Sequence, residues 1–100
     1  MTSIEQNSDI QEQLAKIFDI SATELNRKAY IVLIDNKLSQ IEAMIYKILN
    51  RHGIKDLQQF DEFFQKGKIA ESDGWEDFFE LDGLISEKNT LENIKKKIIQ

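Results

Sequence analysis

Acidic side chains gather in one part of this sequence, and they are the first place to look for chemistry. Between Asp61 and Gly83 stand Asp61, Glu62, Glu71, Asp73, Glu76, Asp77, Glu80 and Asp82, against only Lys66 and Lys68. Eight acids and two lysines give this segment a net charge of −6, while the whole chain carries −5. Everything else is therefore nearly neutral. Within the segment, "KGKIAESDGWEDFFELDGLI" (Lys66 to Ile85) holds the only tryptophan and three of the four glycines. A calcium loop is one possibility. Aligning Gly74 with the glycine such a loop requires puts Glu71 and Asp73 at ligand positions and Glu80 at the closing bidentate one. The first ligand position then falls on Ile69, which has no side-chain oxygen, and the normally apolar eighth falls on Glu76. No calcium site is expected, and no other metal or cofactor.

Acid–base catalysis is the second possibility. Asp73/Asp77 and Glu76/Glu80 lie four apart on a helical face, but such work needs a pocket that splits their pKa values. The single histidine, His52, has no acid or nucleophile in local register and is placed to complement a helix C-terminus. The hydroxyl residues are scattered, cysteine is absent, and no glycine-rich phosphate loop occurs. The sequence reads as that of a protein that is not an enzyme.

What remains is acid combined with aromatics. Six of the nine aromatic residues, Phe60, Phe63, Phe64, Trp75, Phe78 and Phe79, fall in the same neighbourhood. The plain explanation is that acids favour a helix N-terminus while aromatics fill a core. The functional one is a face of Trp75, Glu76, Asp77, Phe79 and Glu80 that anchors a basic protein partner. On that reading Asp77 and Glu80 lie on solvated faces. Phosphates would be repelled here, and Lys95, Lys96 and Lys97 fit better as complements to a helix dipole.

These residues need a scaffold, and the pattern predicts helices. There is no proline and little glycine, so little interrupts the chain. Short helices are expected at about 9–18, from Ile10, Leu14 and Ile17, and at about 57–66. A capping box, Ser21 to Glu24, should open a long helix at about 22–52, closed by Gly53. The last helix, at about 74–99, should start from a second box, Asp73 with Glu76. The fold class is all-α, with the two long helices antiparallel. Ile31, Ile34, Leu38, Ile41, Ile45 and Ile48 make a heptad seam. Its expected partner is Phe78, Leu81, Ile85, Leu91, Ile94 and Ile98, interrupted by Lys88. Met44 and Leu49 would widen the stripe towards the Phe60–Phe64 helix.

One stretch exceeds the needs of a two-helix seam. Tyr30, Ile31, Val32, Leu33 and Ile34 are consecutive, so on a helix they point in every direction, and an all-round apolar helix is normally covered all round. Tyr30, Val32 and Leu33 are the expected self-association residues of a homodimer, with burial by residues 1–20 as the alternative.

A hundred residues suits a single helical domain, 1–100, and leaves the order of the polar residues 1–8 open. Charged residues at 31% and hydrophobic ones at 41% describe a globular chain. The longest apolar run, "AYIVLI", is too short for a bilayer, and "MTSIEQNSDI" lacks the pattern of a signal peptide. Together with the missing cysteines, this leads to a cytoplasmic protein without membrane contact.

From residue 21 to residue 98 the sequence resembles the small all-helical antitoxin-like proteins of prokaryotic type II toxin–antitoxin pairs. The matching residues are Lys37-Leu38, Ile41-Glu42-Ala43, His52-Gly53, Phe60 and Gly67. Trp75-Glu76-Asp77, Phe78-Phe79-Glu80-Leu81 and Leu84 complete them, and the "WEDFFELDGL" block is the most specific part. Asp73-Gly74 and His52 depart from the pattern, the latter standing where tyrosine is common. The resemblance implies a partner role, the neutralising of a small basic toxin by direct binding. The alternative is a self-associating structural or adaptor domain with no toxin partner. Operator DNA ranks below both. "LAKIFDISATELNRKA" could form a helix–turn–helix, but its second helix offers only Asn26, Arg27 and Lys28 for groove reading.

Overall fold

The computed structural model describes residues 4–66 and 71–100, with the side chains of 4–8, 63, 64 and 71–73 left aside. The described residues form four helices and no strand: α1 Ile4–Phe18, α2 Ala22–Arg51, α3 Leu57–Gln65 and α4 Glu71–Ile99. The all-α expectation therefore holds, and both long helices lie where the pattern placed them. Among the described residues no helix is long and apolar enough to cross a membrane.

Helix ends follow local hydrogen bonding. Ser21 caps α2: its Oγ accepts from the Glu24 amide at 3.1 Å and its carbonyl from the Leu25 amide at 2.9 Å. Asp56 does the same for α3, its Oδ1 accepting from the Gln59 amide at 2.8 Å, while Gln59 reaches back to the Lys55 amide. Gly53 adopts φ +64° and ends α2 in a Schellman motif. The Ile54 amide bonds the Leu49 carbonyl at 3.0 Å and the Gly53 amide that of Asn50 at 3.2 Å. The same motif ends α1, with Ile20 bonded to Ala15 and Asp19 to Lys16. There the left-handed residue is Asp19, at φ 55°, one of the few side chains that tolerate the region.

Two starts differ from expectation. α1 begins at Ile4 instead of near residue 9, because neither proline nor glycine stands before that point and Glu5 and Gln6 favour helix. α4 begins at Glu71 and runs through Gly74, so the stretch from 71 to 80 that a calcium loop would need is helical. The capping role expected of Asp73 lies outside the described side chains, as does Ile69.

The chain divides into two compact units, Met1–Asp35 and Asn36–Gln100, with the boundary inside α2. The first contains α1 and the start of α2. Gln11 Nε2 donates to Asn26 Oδ1 at 2.9 Å across its two helices. Among its described residues only Ala15 and Ile34 are buried.

The second unit holds a real core. Ile41, Ile48, Ile54, Phe60, Leu81 and Leu84 are buried together, and Ile45, Leu49, Phe78, Ile85 and Leu91 pack against them. Each such side chain contributes roughly 1.5–3 kcal/mol when fully buried. Arg51 pairs with Asp77 and Glu42 with Lys88, so stepping back along α2 means moving forward along α4. The two helices are antiparallel here. The seam keeps Ile41, Ile45 and Ile48 with Phe78, Leu81, Ile85 and Leu91 and adds Leu84 and Ile54, while the expected Leu38 is outside this core and Ile31 and Ile34 fall in the first unit. Lys88 interrupts it harmlessly, since its ammonium reaches Glu42 at 3.7 Å while its stem lies half-buried. Ile94 and Met44, expected to pack, are exposed.

Candidate functional site

The first turns of α4 carry the acidic-aromatic block, and the structure separates its residues into two groups. Trp75, Glu76, Phe79 and Glu80 are exposed, Trp75 by 45% and Phe79 by 63%. Trp75 and Phe79, one turn apart on the helix, stack at 5.5 Å between ring centroids with 24° between planes. Their acidic neighbours one position on, Glu76 and Glu80, are likewise one turn apart. This is an aromatic pair beside two carboxylates on adjoining faces of one helix.

Asp77 is the exception, and it corrects the expectation of a solvated face. It is buried, with 9% of its surface accessible. Arg51 Nη1 donates to both its carboxylate oxygens at 2.9 Å, and His52 Nε2 lies 2.7 Å from Oδ2. Burial works against the ionised carboxylate. The hydrogen bonds from His52 and Arg51, helped by their charge, outweigh it and hold Asp77 below its ordinary range. Its role is to fasten the start of α4 to the end of α2. Of the five residues expected to meet a partner, Trp75, Glu76, Phe79 and Glu80 are exposed and Asp77 is not.

His52 thus has the acid that local spacing denied it, brought in from 25 residues away. A histidine–carboxylate pair could orient a general base, but a base needs a proton to take from a nucleophile or substrate. The ring instead packs edge-on against Phe60 at 4.8 Å, and the groups around it are a carboxylate, a guanidinium and a phenyl ring. Phe60 continues the contact to Phe78 at 5.7 Å, and Phe78 meets Trp75 at 6.1 Å. An unbroken aromatic path joins the buried core to the exposed pair, so the pair stands on a rigid base. Among the described residues no group of three or more histidine, aspartate or glutamate side chains could hold a metal ion.

The three residues expected to mediate self-association are also at the surface. Tyr30, Val32 and Leu33 are 54%, 57% and 67% exposed; among the described residues, 9–20 do not bury them. Val32 and Leu33 line an open, mostly apolar groove of about 780 Å³ with Phe18, Ile20, Leu25 and Ala29, and Lys28 also borders it. The basic residues that a helix–turn–helix would offer to DNA, Arg27 and Lys28, both lie against Glu24, at 3.5 and 4.0 Å.

The sequence pattern of the uncharacterized protein MJ0235 family matches residues 1–99. The chain belongs to that family. No curated protein and no solved structure matches it. The family match runs through both compact units.

Sequence reasoning missed Arg51 and Ile54. Arg51 carried no signal, because its partner comes from another helix. Ile54 carried one: the residue after a glycine helix stop often packs back on the last turn.

Proposed function

We propose that this protein is a non-catalytic protein-binding module whose Trp75–Phe79 face, flanked by Glu76 and Glu80, takes a basic protein partner. The observation that carries this reading is the stacked aromatic pair, exposed to solvent and supported from beneath by Phe78 and Phe60. Aromatic side chains with few internal rotations are the usual anchors of protein interfaces. Carboxylates beside them steer a positively charged partner and disfavour nucleic acid. The antitoxin-like resemblance narrows the partner to a small basic toxin, neutralised by direct binding in the cytoplasm. Its most specific block, "WEDFFELDGL", is the block that presents the exposed face.

The experiment is co-expression with the product of the neighbouring small gene, followed by pull-down and growth rescue. Binding with rescue supports the antitoxin-like role. A neighbour that neither binds nor harms growth alone removes it. A second reading, a self-associating adaptor without a toxin, is favoured by the exposure of Tyr30, Val32 and Leu33.

A further inference from the structure

The first compact unit is a helical hairpin with almost no core. Its two helices carry matching apolar stripes. On α1 the stripe is Ile10, Leu14, Ile17 and Phe18; on α2 it is Leu25, Ala29, Val32 and Leu33. Both follow the spacing i, i+4, i+7, i+8, which marks one face of a helix meant for burial. Yet all four α1 residues are exposed, Ile17 by 75%, and so are Val32 and Leu33. Phe18 belongs to the α1 stripe and also lines the groove with the α2 residues, so the two stripes form one continuous surface.

We propose that this surface is a dimerisation face, on which the α1–α2 hairpins of two copies of this chain close into a four-helix bundle. The inference rests on the self-associating reading and adds α1 as an equal half of the interface. Area supports a second copy as the occupant. Six large side chains exposing on the order of 100 Å² each, with Tyr30 at the flank, amount to about 700 Å² per chain. A standard-size interface takes roughly 600–1,000 Å² per partner. Two helices with equivalent stripes also make a patch that complements itself under a two-fold axis. Bundles bury this kind of stripe, with facing helices crossing at about 20°. In the dimer the hairpin acquires the core that neither copy has alone.

Sedimentation of the full chain tests the proposal. The wild type is expected at twice the 11.7 kDa chain mass at about 10 μM, a concentration above the dissociation constant of a stable dimer. Ile17→Lys and Phe18→Glu on α1, and Leu33→Glu on α2, should each raise the dimer dissociation constant by about 30-fold or more. Helical circular dichroism should persist, because these side chains are already exposed. Ile17, the most exposed of them, guards against a variant that fails to fold. A wild type that stays monomeric at about 100 μM overturns self-association altogether. A dimer that Leu33→Glu dissociates but Ile17→Lys and Phe18→Glu leave intact keeps self-association and overturns the four-helix arrangement. A dimer indifferent to all three places the interface elsewhere and also overturns the proposal.

Discussion

Replacing Asp77 with alanine tests whether the Arg51–Asp77–His52 contact holds the second unit together. The variant loses two hydrogen bonds from Arg51 at 2.9 Å and one from His52 at 2.7 Å. The Arg51 side chain is 58% exposed, so water takes over its guanidinium and that half contributes only about 0.5 kcal/mol. His52 is only 15% exposed, and its ring nitrogen loses a charged partner with little water to replace it. Hydrogen bonds to charged groups contribute about 1.5–3 kcal/mol, and the low end applies to a ring that is not fully buried. The expected loss is therefore about 2 kcal/mol, which lowers the melting temperature of a domain this size by about 10 °C. Acid should expose the same contact. A carboxyl held below its ordinary value of about 3.9 stabilises the fold fully above that pH, and the contribution disappears as pH falls through the folded value. Thermal unfolding followed by far-UV circular dichroism, at neutral pH and in steps below about pH 4, measures both effects. Asp77→Ala should melt lower at neutral pH and lose part of the wild type's acid sensitivity. An unchanged melting temperature would refute the reasoning.

Other substitutions probe the remaining joints. Phe60→Ala empties the centre of the second core, where Phe60 is wholly inaccessible, and should cost about 3–5 kcal/mol, read by chemical denaturation. Gly53→Ala meets no steric obstacle, so its loss of about 1 kcal/mol comes from the left-handed backbone alone; the melting temperature reports it. Asp19→Gly relieves the same strain at the end of α1 and should raise stability by about 0.5 kcal/mol, read as a higher melting temperature.

Much of this was readable because it is local. Ser21 to Glu24 and Gly53 announced the ends of α2 through chemistry confined to one turn. The heptad of Ile41, Ile45 and Ile48 announced the buried stripe because helical geometry alone decides which residues share a face. The pairing of Asp77 was not readable: Asp77, Glu76 and Glu80 are alike as acids at a helix start, and only the antiparallel return of α4 selects the middle one for Arg51 and His52. Ile94 was misplaced for the converse reason, since a seam position is buried only where something opposes it. Asp19 in the left-handed region was hidden too, because glycine is the residue that usually marks that turn. Of the five residues expected on the acidic-aromatic face, the structure leaves four exposed and buries Asp77.

The most direct test of the protein-binding account is the association rate of the neighbouring gene's product with the Trp75 face, measured by stopped flow as salt is raised. Glu76→Lys with Glu80→Lys is the decisive variant, because both side chains are exposed and reversal leaves the Asp77 contact in place. If the acidic face steers a basic partner, wild-type association should slow as the screening length shrinks from about 10 Å at 0.1 M salt towards 3 Å at 1 M. The double variant should associate about tenfold more slowly at low salt, with the difference vanishing at high salt. Equal rates for the two proteins at every salt concentration, or no binding to either, would contradict the account.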